Sequence, residues 1–145
     1  MAICDRHGCG KEELSREKLE VIIEEHLHAR WTDRGAAIVI DPELENWFWS
    51  ESPHVAQAIN WPGGMPALRA WLLTEGLLKE GHAKPADPKG ALEAARRRTR
   101  IPKSRAIFRT LAAKVSLEKC GDPAFLKFKA VLRAWFPARS ATTQS

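Results

Sequence analysis

A chain of 145 residues, 44% of them apolar and 28% charged, is long enough to bury a core without disulfides, and no apolar run in it approaches the ~20 residues that a membrane-spanning helix needs. The opening MAICDRHGCG is too polar for a signal peptide, and the three cysteines Cys4, Cys9 and Cys120 cannot all pair within one chain, so a reduced, cytoplasmic setting and no membrane partner are expected. The net charge of +5 conceals an asymmetry, because residues 1–60 hold 6 Lys/Arg and 12 Asp/Glu, a balance of −6, whereas residues 61–145 hold 17 and 6, a balance of +11. Such a split fits two halves that attract each other. It also fits a basic half that meets a phosphate backbone.

Ala2-Ile3-Cys4, ending at Asp5, reads as a short strand, and the glycines of Arg6-His7-Gly8-Cys9-Gly10 mark a tight loop after it. Residues 12–30 read as a helix with an apolar stripe of Leu19, Ile22, Ile23 and Leu27, and with glutamates 12, 13, 17 and 20 in its first turns, where they favour the dipole. Ala36-Ala37-Ile38-Val39-Ile40 is an unalternating apolar run of the kind a strand buried on both faces shows. Strand, helix and strand in this order make a βαβ unit with parallel strands and a right-handed crossover.

The remainder reads as helical. Asp41 and Pro42 suit the N-cap and first position of a short helix carrying Leu44, Trp47 and Phe48. Ser52-Pro53 starts another helix through Ile59, and Pro66 opens one through Leu78 with Leu68, Trp71, Leu72 and Leu78 as core. Asp87-Pro88 starts a helix over 89–100, Ser104 caps one through Val115, and Asp122-Pro123 starts the last, through Phe136. The tail 138–145 has no apolar anchor and is expected to be disordered. The fold class is therefore α/β, a short parallel βαβ unit followed by a mostly helical region from about residue 51, within one domain over 1–137.

Three constellations carry possible chemistry. Asp5 and Asp41 each end a parallel strand, at the sheet edge where open α/β proteins bind ligands. With His7, Glu43 and Glu45 they form a candidate metal set of hard oxygen donors suited to magnesium or manganese. The alternative is that Asp41 merely caps a helix and the glutamates decorate its first turn. Cys4-x-x-His7-x-Cys9 has soft ligands at close spacing, but no second pair follows, so no zinc is expected. Arg96, Arg97, Arg98, Arg100, Lys103, Arg105 and Arg109 put seven cations into fourteen residues, which suits phosphate oxygens. Cations that favour a helix C-terminus are the plainer reading of that run. The tryptophans, Trp47, Trp61, Trp71 and Trp135 above all, fall at core-like positions, although stacking on bases is another use for them.

Asp5-Arg6-His7-Gly8-Cys9-Gly10, an acidic helix and then AIVIDPELENWFWS together resemble the second half of a TOPRIM-like domain. The likeness is to TOPRIM-like proteins of bacterial defence and mobile gene clusters related to the overcoming-lysogenization-defect nucleases. Asp5 matches the first aspartate of the family's Asp-x-Asp-Gly motif, His7 stands where the second would be, and Gly8 matches the glycine. The resemblance covers residues 2–60 by motif. It implies a magnesium- or manganese-dependent phosphodiesterase or nuclease domain lacking its first strand and that strand's glutamate. Activity would be impaired by that loss and by His7 in place of an aspartate. Two functions follow: a degenerate, metal- and nucleic-acid-associated TOPRIM-like protein, or a non-catalytic basic helical module that binds nucleic acid, DNA before RNA, or an acidic protein. The edge of the first strand invites pairing with a partner protein or a second copy.

Overall fold

The computed structural model describes residues 1–49, 53–114 and 120–137. The expected helix start at Ser52, the helix end at Val115 and the tail 138–145 lie outside them. β1 (Ala2–Asp5) and β2 (Ala37–Ile40) form a two-stranded parallel sheet, with Ala2 opposite Ala37 and Asp5 opposite Ile40. α1 (Arg16–Trp31) crosses between them, and the expected βαβ unit is present. Five further helices follow: α2 (His54–Ala58), α3 (Gly64–Thr74), α4 (Pro88–Arg98), α5 (Arg105–Lys114) and α6 (Pro123–Trp135). Among the described residues no helix is long and apolar enough to cross a membrane.

The local signals explain most of these boundaries. α1 begins four residues later than its glutamates suggest, because Ser15 takes the N-cap and its hydroxyl accepts from the Lys18 N–H at 3.3 Å. Glu12 and Glu13 therefore lie in the preceding loop. Ile22 is also not core: it is 37% exposed, while Leu19 is buried. Asp87 and Asp122 cap α4 and α6, each followed by proline at the first helical position, as expected. Asp41 does not cap a helix. The chain after β2 makes only a 3-10 turn, Leu44–Trp47, preceded by Glu43, and the Asp41 carboxylate is turned to Arg6 instead. α3 starts at Gly64, so Pro66 falls inside its first turn; it stops at Thr74, and Gly76 follows in the left-handed region at φ 69°.

The interior has two parts. α2 to α5 enclose Val55, Ile59, Leu68, Leu72 and Leu111, all fully buried, together with Phe48 and Trp49. Ile38 and Ile40 of β2 pack with Trp47, Ala124 and Phe125 against α6. The run Trp47-Phe48-Trp49 thus serves both parts, its first ring on one side and the next two on the other. Trp47 meets Phe125 edge-on at 5.2 Å.

Parallel pairing turns the backbone of alternate residues to opposite edges. Ala2 and Arg6 donate to Ala36 and Ile40, so Ile3 and Asp5 direct theirs to the outer edge of β1, where Ile3 is 51% exposed. The outer edge of β2 is closed, and by side chains. Glu24 Oε1 accepts from the Ala37 N–H at 3.0 Å and Glu20 Oε1 from the Val39 N–H at 3.1 Å. Four residues of helix rise about 6 Å and two residues of strand about 6.6 Å, so the two carboxylates match the two amides. Lys127 of α6 reaches round this edge to Glu20 Oε2 at 3.0 Å and Glu24 Oε1 at 2.8 Å.

Candidate nucleic-acid interface and the carboxyl edge of the sheet

The carboxyl edge of the sheet gathers most of the expected acidic residues. Asp5 Oδ1 accepts from the Leu44 N–H at 2.9 Å and ties β1 to the turn after β2. Glu43 is 4% exposed; its Oε1 accepts from the Lys89 N–H at 2.7 Å, and its Oε2 lies 3.8 Å from the exposed His7 imidazole. Lys89 is the second residue of α4, so Glu43 is a second carboxylate at a helix start that Asp87 already caps through Gly90 N–H at 2.7 Å. Burial, with the neighbouring Glu43 carboxylate adding to it, pushes the Glu45 carboxyl above its ordinary value. Asp41 faces away from this group, with its Oδ1 2.8 Å from Arg6 Nε. Among the described residues no group of three or more His, Cys, Asp and Glu side chains is placed to hold a metal ion. Asp5 and Glu43 each give one carboxylate oxygen to a backbone amide, and Asp41 gives one to Arg6.

On the Asp41 side a cleft of about 480 Å³ lies between the N-termini of α1 and α6, lined by Arg6, Arg16, Glu17, Asp41 and Asp122. Arg6 also donates from Nη1 to the Glu12 carbonyl at 2.8 Å, which folds the loop 7–12 back on itself. Within that loop Gly8 (φ 84°) and Gly10 (φ 75°) turn their N–H groups onto one carboxylate oxygen, Glu12 Oε1, at 2.8 and 3.1 Å. This is a small anion nest, and the chain fills it with its own side chain. The N–H groups of Glu12 itself, Gly10 and Gly8 hold that carboxyl below its ordinary value.

The basic residues fall into two groups. Arg96 does not face solvent with its neighbours: it pairs with Glu93 Oε2 at 2.5 Å and donates to the Ile101 carbonyl at 2.7 Å, pinning the chain beyond α4. Lys103 joins the same carboxylate at 3.1 Å, and hydrogen bonds from Arg96 and Lys103 hold Glu93 below its ordinary value. Of the seven cations expected to suit phosphate oxygens, Arg96 is thus half-buried, its i,i+3 spacing to Glu93 giving it an internal partner. Arg97, Arg98, Arg100, Arg105 and Arg109 are all exposed. Arg97 donates only to the Glu93 carbonyl, and the other four have no partner among the described residues. The ion pairs between described residues that join the acidic half to the basic half all run through Lys127, and none of them reaches Arg97, Arg98, Arg100, Arg105 or Arg109.

Arg100 stands at an unusual backbone position. Ile101 N–H returns to the Arg96 carbonyl at 3.1 Å and Arg100 N–H to that of Arg97 at 3.1 Å, the double bond pattern that closes a helix with a left-handed residue. Arg100 supplies that residue, at φ 57°, where glycine is the usual choice. Replacing it, Arg100→Gly, is expected to raise stability by about 1 kcal/mol while weakening binding of an anionic polymer. Thermal melts and binding run on the same preparation check the two opposite signs, and a destabilised variant would refute the strain.

The sequence did not show that Glu12, Glu20, Glu24 and Glu43 would each close onto a backbone amide, since a glutamate beside an exposed-looking helix turn carries no mark of the amide it will meet. Compared with protein-family models, with curated proteins and with solved structures, the chain matches none.

Proposed function

We propose that this chain is a non-catalytic module that holds the phosphate backbone of nucleic acid, DNA in the first instance, on the surface made by the C-terminal end of α4, the segment after it and α5. The observation that carries this reading is the set of exposed arginines 98, 100, 105 and 109, which have no partner among the described residues, beside an acidic half in which Asp5, Glu12, Glu20, Glu24, Asp41 and Glu43 are each engaged elsewhere. Arginine forks suit phosphate oxygens, and cations spread round a helix end envelop a backbone better than they read a groove. Affinity for duplex DNA is expected to fall steeply with salt, with a log–log slope of about −0.9 per phosphate contact. The triple variant Arg97→Ala, Arg98→Ala, Arg100→Ala is expected to flatten that slope by up to about three contacts and to leave the fold intact, since these charges are exposed. Fluorescence anisotropy over a salt series reads both. An unchanged slope in the variant, or an affinity indifferent to salt, would refute the surface.

The TOPRIM-like reading is favoured by one observation, the parallel βαβ unit with Asp5 at the carboxyl end of β1 beside the turn that carries Glu43 and Glu45. It predicts what the basic-surface reading does not: DNA binding that rises on adding magnesium or manganese and loses that response in Asp5→Asn. The same anisotropy series, run with and without each cation, separates the two.

A further inference from the structure

A second feature borders the arginine surface. Asn60, Trp61 and Pro62, from the loop between α2 and α3, Trp71 of α3, and Arg98 and Thr99 at the end of α4 line a cleft of about 530 Å³. Both indoles are half-buried; they pack against the core of α2 to α5 and also line the cleft. Their ring centroids are 4.8 Å apart and their planes tilted by 46°, so the two rings pack on each other and form one aromatic wall. The cation at the mouth, Arg98, has no partner among the described residues. Arg100, two residues on and equally unpartnered, extends the charge beyond it.

Aromatic wall, polar rim and free guanidinium form a combination with one well-suited occupant. The volume lies in the range of small-ligand sites, about 300–1,000 Å³. An apolar ligand would leave Arg98 unused, and a plain phosphate would leave the indoles unused. A flat, π-faced group joined to a phosphate uses both. We infer that this cleft takes an unpaired nucleobase against Trp61 and Trp71, with an adjoining phosphate on Arg98. The inference rests on the nucleic-acid reading above and sharpens it, because a base held in a stack inside a duplex is not free to enter such a cleft. Phosphates running on to Arg100 then make a single strand the preferred ligand and give the surface a direction. Recognition of this kind tolerates every base, since each has a π face.

The test uses the full chain and three probes: a short oligothymidylate, an abasic strand of equal length and charge, and thymidine monophosphate. The thymidylate strand is expected to bind on the order of 10-fold more tightly than the abasic strand and to quench tryptophan emission, which the abasic strand leaves unchanged. Trp71→Leu, which keeps apolar bulk and removes the ring, is expected to bring thymidylate affinity down to the abasic level without altering duplex affinity. If that variant fails to fold, the comparison of the two strands on the unmodified protein still decides the matter. Equal affinity for both strands with no quench would overturn the cleft and leave the phosphate surface standing. Absence of binding to either strand and to duplex would overturn both. Binding of the mononucleotide with quenching, without binding of the strand, would overturn the strand as ligand.

Discussion

Lys127→Ala is expected to destabilise the protein by about 2–3 kcal/mol, a fall in melting temperature on the order of 10 °C. Lys127 spans Glu20 and Glu24, and those carboxylates close the outer edge of β2 through the amides of Val39 and Ala37. Glu20 is 5% exposed and, among the described residues, would retain only the Arg16 cation at 3.0 Å, while Glu24 would retain none at hydrogen-bonding distance. The carboxylates cannot turn away without leaving two amides of a fully buried strand unpaired. The effect depends on pH with a definite sign. Burial pushes Glu24 up, but the Ala37 N–H and Lys127 outweigh it, and the carboxyl sits below its ordinary value of 4.5. A depressed folded-state pKa stabilises above the unfolded value and loses that contribution as pH falls through the folded one. The gap between the parent protein and the variant is therefore full at neutral pH and shrinks below about pH 4.5. Thermal melts at neutral and acid pH measure it. Coincident melts at neutral pH would show that Lys127 is not part of the closure.

Asp122→Ala is expected to cost about 2–4 kcal/mol, because one carboxylate accepts four hydrogen bonds and joins α6 to the 3-10 turn Leu44–Trp47. Its Oδ1 accepts from the Ala124 and Phe125 N–H groups at 3.0 and 3.2 Å, which caps α6. The same oxygen accepts from the Trp47 indole N–H at 3.1 Å, and Oδ2 accepts from the Asn46 amide at 2.9 Å. Loss of the cap alone accounts for about 1 kcal/mol. The rest comes from stranding the indole N–H of a tryptophan that is 8% exposed. Asp122→Asn keeps an acceptor for the cap and opposes two amide donors at Asn46, so it is expected to cost about half as much. Combining Asp122→Ala with Trp47→Phe removes donor and acceptor together, and the double variant is expected to be more stable than the sum of the two single losses. Denaturant unfolding of the four proteins gives the coupling, and strict additivity would place Trp47 outside the network.

The parallel βαβ unit and the starts of α4 and α6 could be read directly from the residues, since a β-branched apolar run and an Asp-Pro cap are decided by neighbours a few residues away. So was the clustering of cations between residues 96 and 109. The sequence could not separate Arg96, which is drawn inward by Glu93, from Arg98 and Arg100, which have no partner among the described residues. Nor could it tell that Asp41 turns to Arg6 while Glu43 reaches the start of α4. In a stretch as acidic as 41–45, each carboxylate has the same local character, and its role depends on which amide or cation another element brings within hydrogen-bonding reach. The closure of β2 makes the same point most sharply. The i,i+4 spacing of Glu20 and Glu24 is an ordinary solvent-facing pattern until the crossover lays α1 along β2 and α6 swings Lys127 round the edge. Periodicity and capping are short-range and local; the partner of a buried charge is long-range and exists only once the chain has packed.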